Sequence, residues 1–136
     1  MTDIQAAISA AASGMRAQTT RMRLAAENVA NASSTGTNPN EDPFRRRIPL
    51  METTTLASGA QGVRVRGAAY DMTAFRQEYN PSHPAADASG YVQLPNVDTL
   101  VEMMDLRDAT RAYEANLNMI EAARSMTTRA LDLLRR

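Results

Sequence analysis

Apolar residues recur at alternating steps of three and four in two stretches at opposite ends of the chain. Near the start the series is Ile4, Ile8, Ala11, Met15, Gln18, Met22, Ala25, Val29 and Ala32, the spacing of a coiled-coil seam. Near the end it is Met103, Leu106, Thr110, Tyr113, Leu117, Ile120, Arg124, Thr127, Leu131 and Leu134. Thr2 with Gln5 forms a candidate capping box for the first helix, and Ser33, Ser34 and Gly36 ahead of Pro39 and Pro43 mark its exit. The pattern predicts a helix ending near residue 33, a rod of roughly 45 Å at about 1.5 Å per residue. After Pro95, either Asn96 or Asp98 suits the N-cap of the second helix.

Between the helices the period changes. "SSTGTNPNEDP" and "NPSHPAADASG" are rich in turn formers, and Val63 and Val65 interleave with Arg64 and Arg66 as in a half-buried strand. Phe44 to Leu50 and residues 62–70, 75–79 and 91–94 are the candidate strands. The expected fold is therefore mainly α with a small β-rich insert, its long terminal helices forming a coiled-coil-like pair. The divisions are 2–33 for the N-terminal helix, 34–95 for the insert and 96–136 for the C-terminal helix.

Composition makes that picture less self-sufficient. Alanine supplies 24 of the 136 residues, whereas Ile, Leu, Val and Phe together supply 22, a share below the roughly 20% at which an autonomous core becomes doubtful. Both seams are diluted by alanine, threonine, glutamine and arginine, so a two-helix monomer gains little from them alone. Such a chain is expected to fold against partners.

The formal net charge is zero, which lacks the electrostatic footprint of a nucleic-acid binder. All 15 basic residues are arginine, whose planar fork suits interfacial ion pairs. There is no cysteine, hence no disulfide and no thiolate metal site. "MTDIQAAISA" has neither the basic start nor the apolar run of a cleavable signal peptide. No stretch approaches the roughly 20 apolar residues of a membrane-spanning helix.

Candidate chemistry is sparse. His83 is the single histidine, and without a second histidine or a cysteine no metal shell can be completed around it. Ser82 and Asp87 stand near it, but a local cluster without an oxyanion donor does not make a triad. Asp108 with Arg111, Glu121 with Arg124 and Asp132 with Arg136 have the spacing of helical ion pairs. Phe44-Arg45-Arg46-Arg47 is the one basic run, and Glu41 and Asp42 just before it favour a solvated or interface ridge over nucleic-acid binding. Neither a cofactor nor a small-molecule substrate is expected.

Asparagine is a poor mid-helix residue because its side chain competes for backbone hydrogen bonds. Asn31 suits a helix end, whereas Asn28 and Asn116 fit that role badly. A polar group beside a packing seam can instead fix the register between helices.

Three stretches carry a resemblance: "SGMRAQTTRMRLAAENVANASS", "PFRRR" and "NPSHPAADASGYVQLPNVDTLVEMMDLRDATRAYEANLNMIEAARSM". Together they resemble the bacterial flagellar basal-body rod proteins over nearly the whole chain. The resemblance implies an axial structural subunit without enzymatic activity, exported through the flagellar type III apparatus and transmitting torque in the periplasm-spanning rod. It implies copies of itself, adjacent proximal and distal rod proteins, and an adaptor at the inner-membrane ring or export gate as partners. The terminal helices would line the inner tube and the insert would face outward.

On that reading Ile8, Met15, Met22, Val29, Met103, Leu106, Tyr113, Leu117 and Ile120 supply the buried seam, and Leu131 and Leu134 close it. Asn28, Asn31 and Asn116 fix register, and Arg16, Arg21, Arg111 and Arg124 pair with acids of neighbouring subunits. Where family members commonly read Asn-Thr at the first helix's exit, this chain has Ser33-Ser34. The rival reading, a small helical module that folds on one soluble partner, uses the same seams.

Overall fold

The computed structural model describes residues 2–135. Its elements run α1 (Thr2–Ala30), β1 (Arg47–Thr55), β2 (Gln61–Tyr70), β3 (Arg76–Tyr79), β4 (Tyr91–Leu94) and α2 (Thr99–Leu134). Two long terminal helices thus enclose an insert of two antiparallel hairpins, β1–β2 and β3–β4, as the change of period predicts. Arg136, and with it the expected Asp132–Arg136 pair, lies outside the described residues.

The helices pair antiparallel. Asn28 meets Glu102, Arg21 meets Asp105, and Thr110 Oγ1 lies 3.5 Å from Met22 Sδ. Towards the other end Ile4 and Ile8 sit beside Arg124, Thr127 and Thr128. A Cβ built on Gly14 would stand 2.8 Å from Asn116 Nδ2, so glycine is what allows close approach there. Residues 129–135 of α2 extend past the first described turn of α1 and are exposed.

α1 has a second buried side that the three-four pattern did not disclose. Ser13, Ala17, Leu24 and Asn28 are buried, and hairpin β1–β2 lies along α1 there. Val63 N–H donates to Ser13 Oγ at 3.1 Å, while Ser13 Oγ donates to Ala10 O at 2.7 Å. A side chain at Gly62 would come within 2.7 Å of Ser13 Oγ. α1 is therefore the middle layer, and the hairpin supplies apolar contact that the thin helix seam lacks.

The strand expectations hold for 62–70, 75–79 and 91–94 to within a residue or so. β1, however, starts at Arg47 and continues to Thr55, because the Thr53–Thr55 run favours extended backbone. The ladder shifts register between Leu50 and Met51, a bulge that bends the strand. Gly59, at φ +80, closes the turn in the left-handed region open to glycine.

Helix ends also differ in detail. α1 stops at Ala30, and Asn31 leads the exit turn: its Nδ2 donates to Glu27 O at 2.8 Å and its carbonyl accepts from Ser34. Thr2 is already helical, so it is not the N-cap that a Thr2–Gln5 box requires. Asp98 rather than Asn96 caps α2, its carboxylate accepting from Leu100 N and Val101 N.

Candidate assembly surface

Three segments distant in sequence meet in one polar clasp. Asn28 lies in the last turns of α1, Arg46 and Arg47 precede or begin β1, and Glu102 stands in the first turn of α2. Asn28 treats Arg47 as a neighbouring strand would: its Nδ2 donates to Arg47 O at 2.9 Å, and its Oδ1 accepts from Arg47 N at 3.0 Å. The same Nδ2 donates to Glu102 Oε2 at 3.2 Å, and Arg46 Nε donates to Glu102 Oε1. Glu102 is only 1% exposed, and a carboxylate so buried requires such partners.

Further charges close around Arg46. Its guanidinium reaches Asp71 at 3.5 Å and Asp105 at 3.6 Å, and Asp105 also pairs with Arg21 at 2.8 Å. Burial works against the Arg46 charge, but the hydrogen bond and charge of Glu102, then those of Asp71, outweigh it and hold Arg46 above the ordinary arginine value. The Asp71 carboxyl is held below its ordinary value, first by the Thr73 backbone N–H and side chain, then by Arg46.

Asn96, free of capping duty, accepts from Arg46 N at 2.8 Å and donates to Asp71 O at 2.8 Å. Arg45 stacks over Phe75 at 4.2 Å, and Arg47 pairs with Glu27 at 3.2 Å. Where composition suggested a solvated or interface ridge, Arg46 and Arg47 are drawn into an internal clasp. Its buried partner Glu102 was missed because an acid early in a helix is already explained by the helix dipole.

His83 is likewise structural in its contacts. Ala85 N donates to its Nδ1 at 3.0 Å, which leaves Nε2 to carry the proton towards Thr35 Oγ1 at 3.3 Å. That link joins the loop after α1 to the turn of β3–β4. No grouping of three or more potential metal ligands occurs among the described residues.

The seam residues of α1 and of α2 differ in where the single chain places them. Ile8, Met15, Met22 and Val29 are half-buried, as are Leu106, Tyr113 and Ile120. The positions facing α1 are Glu102, Ala109, Asn116 and Ala123, with Thr110 and Arg124 at the margin of the contact and Met103 and Leu117 exposed. Leu131 and Leu134 do not close the pair; they lie beyond it. The reason is bulk: a reading that seeks large apolar residues steps one position round the helix when the buried positions are small or polar. Asn116 donates to Ala112 O at 2.9 Å while resting against Gly14.

Arg21 is engaged by Asp105 of its own chain at 2.8 Å. Arg16, Arg111 and Arg124 are exposed and make no ion pair among the described residues, and neither Asp108–Arg111 nor Glu121–Arg124 closes there.

These facing positions leave α2 with unusual flanks. Met103, Leu117 and Leu131 lie on one side at multiples of seven, and Met119, Met126 and Leu133 on the other, all between 38% and 75% exposed. Apolar residues at both flanks of a heptad seam suit a helix that packs against several others.

A helix pair clasped to its insert, with the outer flanks of one helix left apolar, defines a structural subunit of a larger assembly. Residues 88–133 match the family model described as "Flagellar basal body rod FlgEFG protein C-terminal". The chain is 42% identical to the flagellar basal-body rod protein FlgC of Agrobacterium fabrum, covering 99% of this chain and 98% of that one. It is 36% identical to FlgC of Salmonella typhimurium (90% and 92% covered) and 34% identical to FlgC of Bacillus subtilis (93% and 95% covered). The chain belongs to the FlgC family of flagellar basal-body rod proteins. It is a structural subunit of the rod in the flagellar basal body, where rod components assemble with one another.

Proposed function

We propose that the chain builds the proximal rod by packing the outer flanks of α2 against helices of its own copies and of adjacent rod proteins, and that it works mechanically rather than catalytically. The observation that carries this is the pair of exposed apolar stripes on α2 in a chain so poor in large apolar residues. Burying them in an assembly removes apolar surface from water at about 25 cal/mol per Å², a gain the isolated chain forgoes. Export through the flagellar type III apparatus, contact with an adaptor at the inner-membrane ring or export gate, and transmission of torque across the periplasm complete the role. Arg111 and Arg124 on α2, and Arg16 on α1 beside hairpin β1–β2, are exposed arginines free to pair with acids of neighbours. Among the described residues no helix is long and apolar enough to cross a membrane.

Removal of residues 131–136 tests the reading. The shortened chain is expected to reach the periplasm but not to support rod assembly or swimming. Normal basal bodies and motility with that chain would overturn it.

A further inference from the structure

The chain has nine methionines and no cysteine, so thioethers are its only oxidisable sulfur. Their placement is uneven. Met15 and Met22 of α1 are half-buried, and Met22 Sδ accepts from Thr110 Oγ1 at 3.5 Å. Met104, Met119 and Met126 of α2 are 60%, 54% and 57% exposed. At about 100° of rotation per residue, the three fall within about 60° of one another around the helix, on the flank that Leu133 also occupies. Met103 stands alone with leucines on the opposite flank, and Met72 lies outside the helices, between β2 and β3.

An exposed thioether is a nucleophile towards peroxides. Its sulfur lone pair attacks one oxygen of hydrogen peroxide as the O–O bond breaks, so that sulfur loses two electrons and peroxide gains them. The departing hydroxide takes the proton left on the transferred oxygen and leaves as water. The sulfoxide that remains is polar and chiral where the thioether was flexible and apolar. A dithiol reductase reverses the step, releasing the oxygen as water and forming a disulfide of its own thiols.

Resting on the reading of the α2 flanks as packing surfaces, we propose that Met104, Met119 and Met126 form a reversible oxidation site through which peroxide keeps unassembled subunits out of the rod. Each sulfoxide oxygen needs a hydrogen-bond donor, and an apolar neighbour supplies none, so burying the oxidised stripe carries an uncompensated desolvation cost. Three thioethers on one stripe let a single exposure to oxidant change that surface several times over. Once the stripe is packed its sulfurs are covered, so the site distinguishes free subunits from those already built in.

Brief peroxide treatment of the purified full-length chain, read by peptide mass spectrometry, is expected to add oxygen at Met104, Met119 and Met126 about tenfold faster than at Met22. Equal rates would overturn the inference. In cells that make this chain ahead of the other rod proteins, peroxide is given and removed before those proteins are induced. Sulfoxides at the three positions are expected to be about tenfold scarcer in isolated basal bodies than in the free chain of the same cells; equal proportions would overturn the inference. A chain carrying Met104→Leu, Met119→Leu and Met126→Leu is expected to enter basal bodies equally with and without peroxide, whereas Met72→Leu loses entry after peroxide as the wild type does. A triple variant as sensitive to peroxide as the wild type would overturn the site. Met119→Gln with Met126→Gln, without peroxide, separates the two readings. Normal entry of that chain defeats the packing role of the flank, whereas its exclusion alongside normal entry of sulfoxide-bearing chains defeats only the oxidation inference.

Discussion

Glu102 is the residue on which most of the internal order converges, since it accepts from Arg46 and Asn28 at once. Its truncation takes the nearest acid from the half-buried Arg46 guanidinium and one of two acceptors from the buried Asn28 amide; breaking a buried pair from one side costs about 3 to 5 kcal/mol, and the remaining Asp71, Asp105 and Arg47 O hold the cost to the low end of that range. Glu102→Ala is therefore expected to lower the unfolding free energy by about 3 kcal/mol in urea titrations, and Arg46→Met in the same chain to recover part of the loss. Asp71 adds a pH dependence. Its folded pKa lies below the ordinary 3.8, so its stabilisation is present above that value and is lost as pH falls through the lower folded one. Asp71→Asn is expected to flatten the acid limb of a stability-against-pH curve below about pH 4 without changing its slope near neutrality. Asn28 was legible as unusual because an asparagine inside a helix needs a reason. Its partner Arg47 was not, because the bond runs to backbone and leaves no mark on residue type.

Helix α2 shows why element type was readable and rotation was not. Heptad spacing survives any choice of neighbouring positions, so it revealed a long helix with an apolar side. Which residues face α1 depends on the space available, and close approach at Gly14 selects Ala109, Asn116 and Ala123 over the larger Leu117 and Met103. The assignment has opposite consequences for two substitutions. Ala109→Leu, at a fully buried position, is expected to cost about 1 to 3 kcal/mol in the isolated chain through overpacking. Leu117→Ser, on the exposed flank, is expected to change that stability by less than about 1 kcal/mol while sharply reducing incorporation into basal bodies. Thermal melts of the two chains, with basal-body recovery, check both outcomes. Hairpin β1–β2 was recognisable from the alternation of Val63 and Val65 with arginines. Its docking along α1 was hidden, because Ser13, Ala17 and Gly62 are too small to stand out in a hydrophobic pattern.

Across the whole molecule α1 is the middle layer between α2 and hairpin β1–β2, and the clasp ties all three together. Segments from positions 28, 46 and 102 must all meet before every one of their polar groups is satisfied, so the complete clasp reports the tertiary arrangement rather than any local element. What remains outside that arrangement is apolar: the two flanks of α2 and its far end. Exposed apolar stripes on a subunit with a weak core belong to a molecule whose packing is completed by others. Amide hydrogen exchange over residues 115–134, followed in the isolated chain and in purified basal bodies, measures that completion most directly. Exchange there is expected to slow by at least tenfold on assembly, equivalent to about 1.4 kcal/mol or more of added local stability. The same exchange rates in both states would contradict the assembly role of α2.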